Sequence, residues 1–437
     1  MTRPVLPINS PKVINAWCSY DIANSAYILS VNTVLYPIYY QIVTKKAFGS
    51  EMVQFFGMNI KNTVLYEYAI SLGYLLVIFM TLSLSGIADM GGYRKRFMQF
   101  FTLIGSMACI GLYGFNGANI GLGILLPMLA VVGFAGSLVY YNSFLPIIAT
   151  PDHHDRISAR GFSFGYAGST VLLIFNIFSL ENYQMFGFAD KLEAIKFSFI
   201  EVGIWWLVVS QFAFYYLRED RRKVRIDATI ITRGFHEMIN VFSFIKKHKA
   251  MNRFLLSFFF FSMGVQTIFI VASLFGKVEL GISDTKLIMT IMIIQLVAIL
   301  GAVLFGRVSA RFGNKTSLIW MLSIWILVCF SAYLVQNEYQ FYILGAMVGM
   351  VMGGIQSQAR STWSKLIPAG TSDTASYFSF YDSTEKLAIV IGMFCFGIID
   401  QITGSMRNSA LLLSLFFIVS LIIIAVTKLE RKEPAVN

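Results

Sequence analysis

The chain has 437 residues, 57% of them hydrophobic and only 13% charged, whereas soluble domains carry about 25% charged residues. Forty Phe and 21 Tyr are more than a soluble core of this size can hide, so the composition excludes a soluble globular protein and predicts an all-α polytopic membrane protein. The net charge of +11 sits in short segments between apolar stretches, a distribution that points away from nucleic acid as a partner and toward the lipid bilayer.

Apolar stretches close to 20 residues, the length that crosses a bilayer, fall at 14–43, 63–85, 97–115, 119–148, 157–180, 195–217, 253–276, 285–306, 315–335, 339–365, 373–400 and 405–427. They predict 12 transmembrane helices, six on each side of a long basic connection. The expected organisation is an N-terminal six-helix bundle over 1–217, a cytoplasmic basic linker over 218–252, and a C-terminal six-helix bundle over 253–437. Lys and Arg concentrate in every second connection, including Arg94, Lys95 and Arg96, which places both termini in the cytoplasm. The first apolar stretch is too polar for a secretory signal. Cys18, Cys109, Cys329 and Cys395 are far apart in apolar segments, so disulfides are not expected.

The first helix is the most informative. Trp17–Tyr40 is long enough to span, yet Asp21, Asn24, Ser25, Asn32 and Tyr36 recur at spacings that place them on one helical face, with Ile22, Ala26, Leu29 and Thr33 on another. A carboxylate in hydrocarbon costs about 3 kcal/mol and normally faces a water-filled cavity. Asp21 therefore marks either the wall of a polar path or an anchor at the membrane surface.

Two Gly-bounded basic turns echo each other: GIADMGGYRKR (Gly86–Arg96) after the second helix and GRVSARFGNK (Gly306–Lys315) after the eighth. This is the mark of an internal duplication. The second turn lacks an acid matching Asp89. In the linker, Ile231, Phe235, Met238, Ile239, Phe242 and Ile245 recur at helical spacing ahead of Lys246, Lys247, His248 and Lys249. The pattern fits an amphipathic helix on the inner leaflet or a solvated charged hinge.

With 12 spans in two halves and the turn after helix two, the chain resembles the major facilitator superfamily. YDIANSAY (Tyr20–Tyr27), NSFLPIIATPDHHDRISARGFSFGYAG (Asn142–Gly168) and the stretch Gly353–Ser409 are similar to the vacuole-effluxer-like family, which includes the vacuolar amino-acid effluxer of yeast and many bacterial relatives. The resemblance implies the rocker-switch fold and solute transport. It implies that Gly86 and Asp89 belong to a latch against the N-terminus of helix eleven, where the helix dipole favours an anion, with Arg94, Lys95 and Arg96 adding to it. It also implies that helices one, four, seven and ten line the cavity. Tyr140, Tyr141 and Asn142, Gln266, and Gln356 and Gln358 then join the polar face of helix one around a small polar or zwitterionic solute. Arg360 suits a substrate carboxylate, a gate or a lipid headgroup.

In helix eleven, Asp382 and Lys386 form an i,i+4 pair in the favourable order and leave Glu385 as the odd charge, either a proton carrier or a hydrated group at the cytoplasmic mouth. Glu201 and Glu67 are further carboxylate candidates, Glu67 near the interface. All four histidines fall in segments between spans, so proton coupling must run on carboxylates. No Walker loop, H-E-x-x-H or G-x-S-x-G motif occurs, and no enzyme activity, cofactor or metal is expected. The sequence thus points to a monomeric secondary active transporter of an amino-acid-like solute, with protons as coupling partner, in a bacterial cytoplasmic membrane. The alternatives are a lipid or amphiphile flippase or exporter, and a degenerate carrier acting as a sensor.

Overall fold

The computed structural model describes residues 7–218 and 229–429. Residues 219–228 of the linker, and the side chain of Ile231, lie outside the described residues. The chain opens with one long helical run, α1 (Pro11–Ala26), a π-helix (Tyr27–Leu35) and α2 (Tyr36–Phe48). A short hairpin, β1 (Met52–Phe55) and β2 (Met58–Lys61), leads to α3 (Asn62–Gly91), α4 (Arg94–Gly111), α5 (Ile120–Ser143), the single turn α6 (Leu145–Ile148), α7 (His154–Glu181) and α8 (Lys191–Tyr216). The second half holds α9 (Thr229–Lys247), α10 (Lys249–Leu280), α11 (Asp284–Phe312), α12 (Asn314–Leu334), α13 (Glu338–Leu366), α14 (Thr374–Thr403) and α15 (Met406–Val426). Ten helices among the described residues are long and apolar enough to cross a membrane. The two further long segments, Pro11–Phe48 and α13, carry Asp21, Asn24, Ser25, Asn32, Tyr36, Gln356, Gln358 and Arg360.

Two compact units emerge. Among the described residues, one comprises 11–142 and 164–218; the other comprises 7–10, 143–163 and 229–429. In the first, α8 packs along α1 and α4. Gly203 lets α8 approach the Ser106 carbonyl of α4, where a Cβ would stand 2.7 Å from that oxygen. An aromatic cluster of Tyr36, Tyr40, Tyr66, Phe115 and Phe199 fills its core, with ring centroids 5.6–6.2 Å from Tyr36. Such offset and edge contacts add about 0.5–1.5 kcal/mol per pair beyond burial. In the second unit, α11 and α13 lie closest, because Gly349 and Gly353 of α13 face the Ile294 and Ala298 carbonyls with no side chain between. Small residues are what allow membrane helices this proximity, since lipid leaves little hydrophobic drive for association.

The Gly86–Arg96 turn is the end of α3 followed at once by α4. Gly92 caps α3 at φ 65°, a left-handed geometry that costs glycine nothing, and its N–H returns to the Ala88 and Asp89 carbonyls. The hairpin has no counterpart in the expectations from sequence. Its strands pair Met52 with Lys61 and Phe55 with Met58, and Phe56 and Gly57 at the tip both have positive φ, as a tight two-residue turn demands.

Candidate functional site

In the first unit the site forms around Asp21. Its carboxylate is buried and accepts a hydrogen bond from the Tyr141 hydroxyl at 2.7 Å. Tyr141 is in turn held by Trp17, whose ring stacks on it at 4.5 Å and whose Nε1 donates to the Tyr141 carbonyl at 2.9 Å. Trp205 of α8 donates to the Ile22 carbonyl at 3.1 Å. On the α7 side, Gly165 and Gly168 bring that backbone against α1; a Cβ on Gly165 would meet the Ser25 hydroxyl at 2.6 Å. Four helices thus fix Asp21, Asn24 and Ser25 as one cluster. Asn24 is fully buried, and its Nδ2 has no hydrogen-bond partner among the described residues. A buried amide donor left in this way costs about 1–3 kcal/mol unless something else accepts from it.

The π-helix separates the rest of the expected face from this cluster. A π-helix takes more residues per turn than the 3.6 of an α-helix, so nine residues of it rotate everything downstream. The Thr33 hydroxyl donates to the Ile28 carbonyl five residues back, in keeping with that register. Asn32 is half-buried and accepts from Tyr27 at 3.4 Å. Tyr36, expected on the polar face, is instead fully buried in the aromatic cluster and donates to the Gly123 carbonyl at 2.5 Å. Tyr140, expected beside Tyr141, is likewise packed away: its ring stacks on Phe97 and Phe101 of α4. Asn142 is buried at the end of α5.

In the second unit, α10 and α14 bring Gln266, Asp382, Glu385 and Lys386 together. Glu385 is not the odd charge that i,i+4 spacing predicts. It accepts from Gln266 Nε2 at 3.0 Å and from the neighbouring Lys386 at 2.6 Å. The long lysine stem folds back to a partner that helical geometry alone would direct elsewhere. Asp382 and Lys386 are buried beside it. Gln356 is half-buried. In the first unit, Glu201 accepts from Asn176 at 2.6 Å.

Gln358 and Arg360 belong to a different network, which the sequence did not reveal. Its centre is Asp155, near the start of α7, buried and accepting from Ser309 (3.0 Å), Asn314 (2.8 Å), Ser361 (2.7 Å) and Lys365 (2.6 Å). Asn314 also donates to Gln358 at 3.1 Å. Arg360 donates to the Ser158 hydroxyl and carbonyl, both at 2.9 Å, and lies 4.2 Å over the Phe162 ring. The acid missing from the Gly306–Lys315 turn is thus supplied by α7. In the matching turn of the other unit, Asp89 is buried and paired with Arg94 through two guanidinium nitrogens at 2.8 Å. Gly86 is buried, Lys95 half-buried, and Arg96 exposed over the Tyr93 ring.

Ten helices among the described residues long and apolar enough to cross a membrane, with buried carboxylates and amides in and beside them, are the build of an integral, multi-pass membrane transporter of the major facilitator fold. The solved structures agree on that fold: the human organic anion transporter MFSD10 (TETRAN) matches with a TM-score of 0.72 at 11% identity, covering 95% of this chain and 100% of that one. FucP, another major facilitator transporter, matches with a TM-score of 0.70 at 12% identity, covering 95% and 98%. By sequence, the family "Vacuole effluxer Atg22 like" matches residues 9–437, and the chain belongs to that family. YxiO of Bacillus subtilis, an MFS-type transporter, is 28% identical over 412 residues, 94% of each chain. Autophagy-related protein 22 of Saccharomyces cerevisiae is 23% identical over 418 residues, 83% of this chain and 78% of that one.

Proposed function

We propose that this transporter is a secondary carrier of a small zwitterionic, amino-acid-like solute, working by alternating access and coupled to protons. The observation that carries the reading is the Asp21 cluster: a buried carboxylate fixed by Tyr141, with an unsatisfied Asn24 amide one turn along. An acceptor for an ammonium group and a donor for a carboxylate or carbonyl are the two needs of a zwitterion. The resemblance to the vacuolar amino-acid effluxer supports the same solute class. Gln266, Asp382, Glu385 and Lys386 are the second polar set, with Glu385 the candidate proton carrier. Asp89 with Arg94, and Asp155 with Lys365, are gating contacts in this reading. The membrane is a bacterial cytoplasmic membrane and the carrier acts as a monomer.

The test is a thermal-shift screen of the purified protein against amino acids, sugars, nucleosides and peptides. A ligand at 100 times its Kd stabilises by about 2.7 kcal/mol. Stabilisation by amino acids that disappears in Asp21→Asn is the expected result. Stabilisation by lipids or amphiphiles alone would support the flippase reading instead.

A further inference from the structure

The helix α9 presents three faces. Met238, Val241 and Ile245 are 3–5% exposed and form one face. Phe235, Ile239 and Phe242 are 61%, 47% and 52% exposed and form a second apolar stripe. At about 100° per residue, each trio spans about 60°, and the two are centred about a quarter-turn apart. His236, Asn240, Ser243 and Lys247 occupy the far side. A helix with two apolar faces at a right angle rests on two different apolar bodies.

The first body is α14. Met238 Sδ accepts from the Ser379 hydroxyl at 3.9 Å and Phe244 meets Tyr377 edge-on at 6.1 Å, while Phe242, on the border between the two apolar faces, also reaches α14, its ring 5.6 Å from Phe380. All three partners are in the first two turns of α14, directly ahead of Asp382, Glu385 and Lys386. The second body has to meet both the stripe and the charges at its end. Lys246 continues the stripe one turn on from Phe242, and Lys246, Lys247, His248 and Lys249 are all exposed. After the break at His248 the chain enters the spanning helix α10, whose exposed apolar flank begins with Leu256. The stripe thus ends in lysines directly ahead of a helix long and apolar enough to span, and an apolar stripe ending in lysines is the chemistry of an anionic phospholipid surface.

We propose that α9 docks on anionic lipid at the membrane surface, and that this docking sets the position of the first turns of α14, and with them the Asp382, Glu385 and Lys386 group. The membrane's surface charge thereby regulates the carrier. Each lysine near an anionic surface changes the docking equilibrium roughly fivefold, so Lys246 and Lys249 together contribute about 25-fold.

The full-length protein is reconstituted in nanodiscs of phosphatidylcholine alone, or with one third phosphatidylglycerol. An environment-sensitive fluorophore is placed at Ile239→Cys, a site whose exposure spares the fold. The expected result is quenching by lipid-borne quenchers in the phosphatidylglycerol discs, lost on Lys246→Glu, Lys247→Glu and Lys249→Glu together. In a second readout, the modification rate of Thr384→Cys on α14 is expected to differ several-fold between the two discs, and not in the charge-reversed protein. Equal access of aqueous iodide to the label in both discs overturns the proposal. Shielding that grows with protein concentration rather than with lipid charge also overturns it, and makes the stripe a contact between copies. Lipid docking with an unchanged rate at Thr384→Cys overturns the coupling to α14.

Discussion

Asp155 and Lys365 are joined at 2.6 Å although 210 positions separate them in the chain. The carboxylate is buried, and three further donors, Ser309, Asn314 and Ser361, complete its shell. An ion inside a protein is tolerable only when its lone pairs are filled in this way. The first ten residues of α7 are thereby tied to the ends of α11 and α13 and the start of α12. Ser158 repeats the tie one turn along, accepting from Arg360 and donating to the Ser357 carbonyl at 2.7 Å.

Removing one partner of such a pair leaves the other charge uncompensated, at a cost of roughly 3 kcal/mol. Asp155→Asn and Lys365→Met should each destabilise by about that much, and the double variant by clearly less than the sum. A double-mutant cycle from denaturation of the purified protein reads this directly. Additive effects would show that the two charges are not coupled.

Asp89 is held by Arg94, and the proposed function takes this pair as a gating contact on the side of the basic segments. Asp89→Asn should leave the fold intact, because the amide still fills the same space, while releasing Arg94. The expected outcome is a shift of the population toward opening on that side, seen as faster modification of cysteines introduced there and slower modification on the opposite face. Unchanged accessibility on both faces would remove Asp89 from gating.

Gly349 faces the Ile294 carbonyl so closely that an alanine methyl has nowhere to go. A backbone oxygen cannot turn aside as a side chain does, so Gly349→Ala must push α11 and α13 apart. Overpacking of this kind costs about 1–3 kcal/mol. Gly397→Ala is the control, since a Cβ there meets nothing within 4 Å. Equal melting of the two variants would refute the close approach.

Which parts of this were legible in the sequence follows from how local their causes are. The spans were, because a run of apolar residues is its own signal: the expected 195–217 is found as Lys191–Tyr216, and 63–85 extends to Asn62–Gly91 because polar residues up to Gly91 still complete helical turns. The Asp21–Asn24–Ser25 cluster was legible because α1 keeps α-helical register through Ala26. Beyond it the π-helix breaks the register, and nothing in YILSVNTVL announces that. The Asp155 network was hidden for the opposite reason. Its acid stands between His154 and Arg156, and its partners are scattered from Ser309 to Lys365, so only the folded chain gathers them. The one local clue was negative: the Gly306–Lys315 turn has no acid of its own.

Asp21 allows the sharpest test. As the partner of a substrate ammonium, it contributes a charged hydrogen bond in a site screened from water by Trp17, Tyr20 and Tyr141, all fully buried. Losing that bond costs roughly 1.5–3 kcal/mol, or about ten- to a hundredfold in affinity. As a proton carrier, its loss would abolish uphill transport yet spare exchange of substrate across the membrane, because exchange moves no net proton. The binding role is the expected one, since Asn24 and Ser25 complete a polar cradle one turn away and Tyr141 already holds the carboxylate in place. Asp21→Asn should therefore weaken both substrate binding and exchange in proteoliposomes, while Tyr141→Phe, which keeps the charge and loses only its positioning, should weaken them less. Intact exchange with no uphill transport in Asp21→Asn would assign the residue to the proton instead, and unchanged binding and transport would place it outside the mechanism.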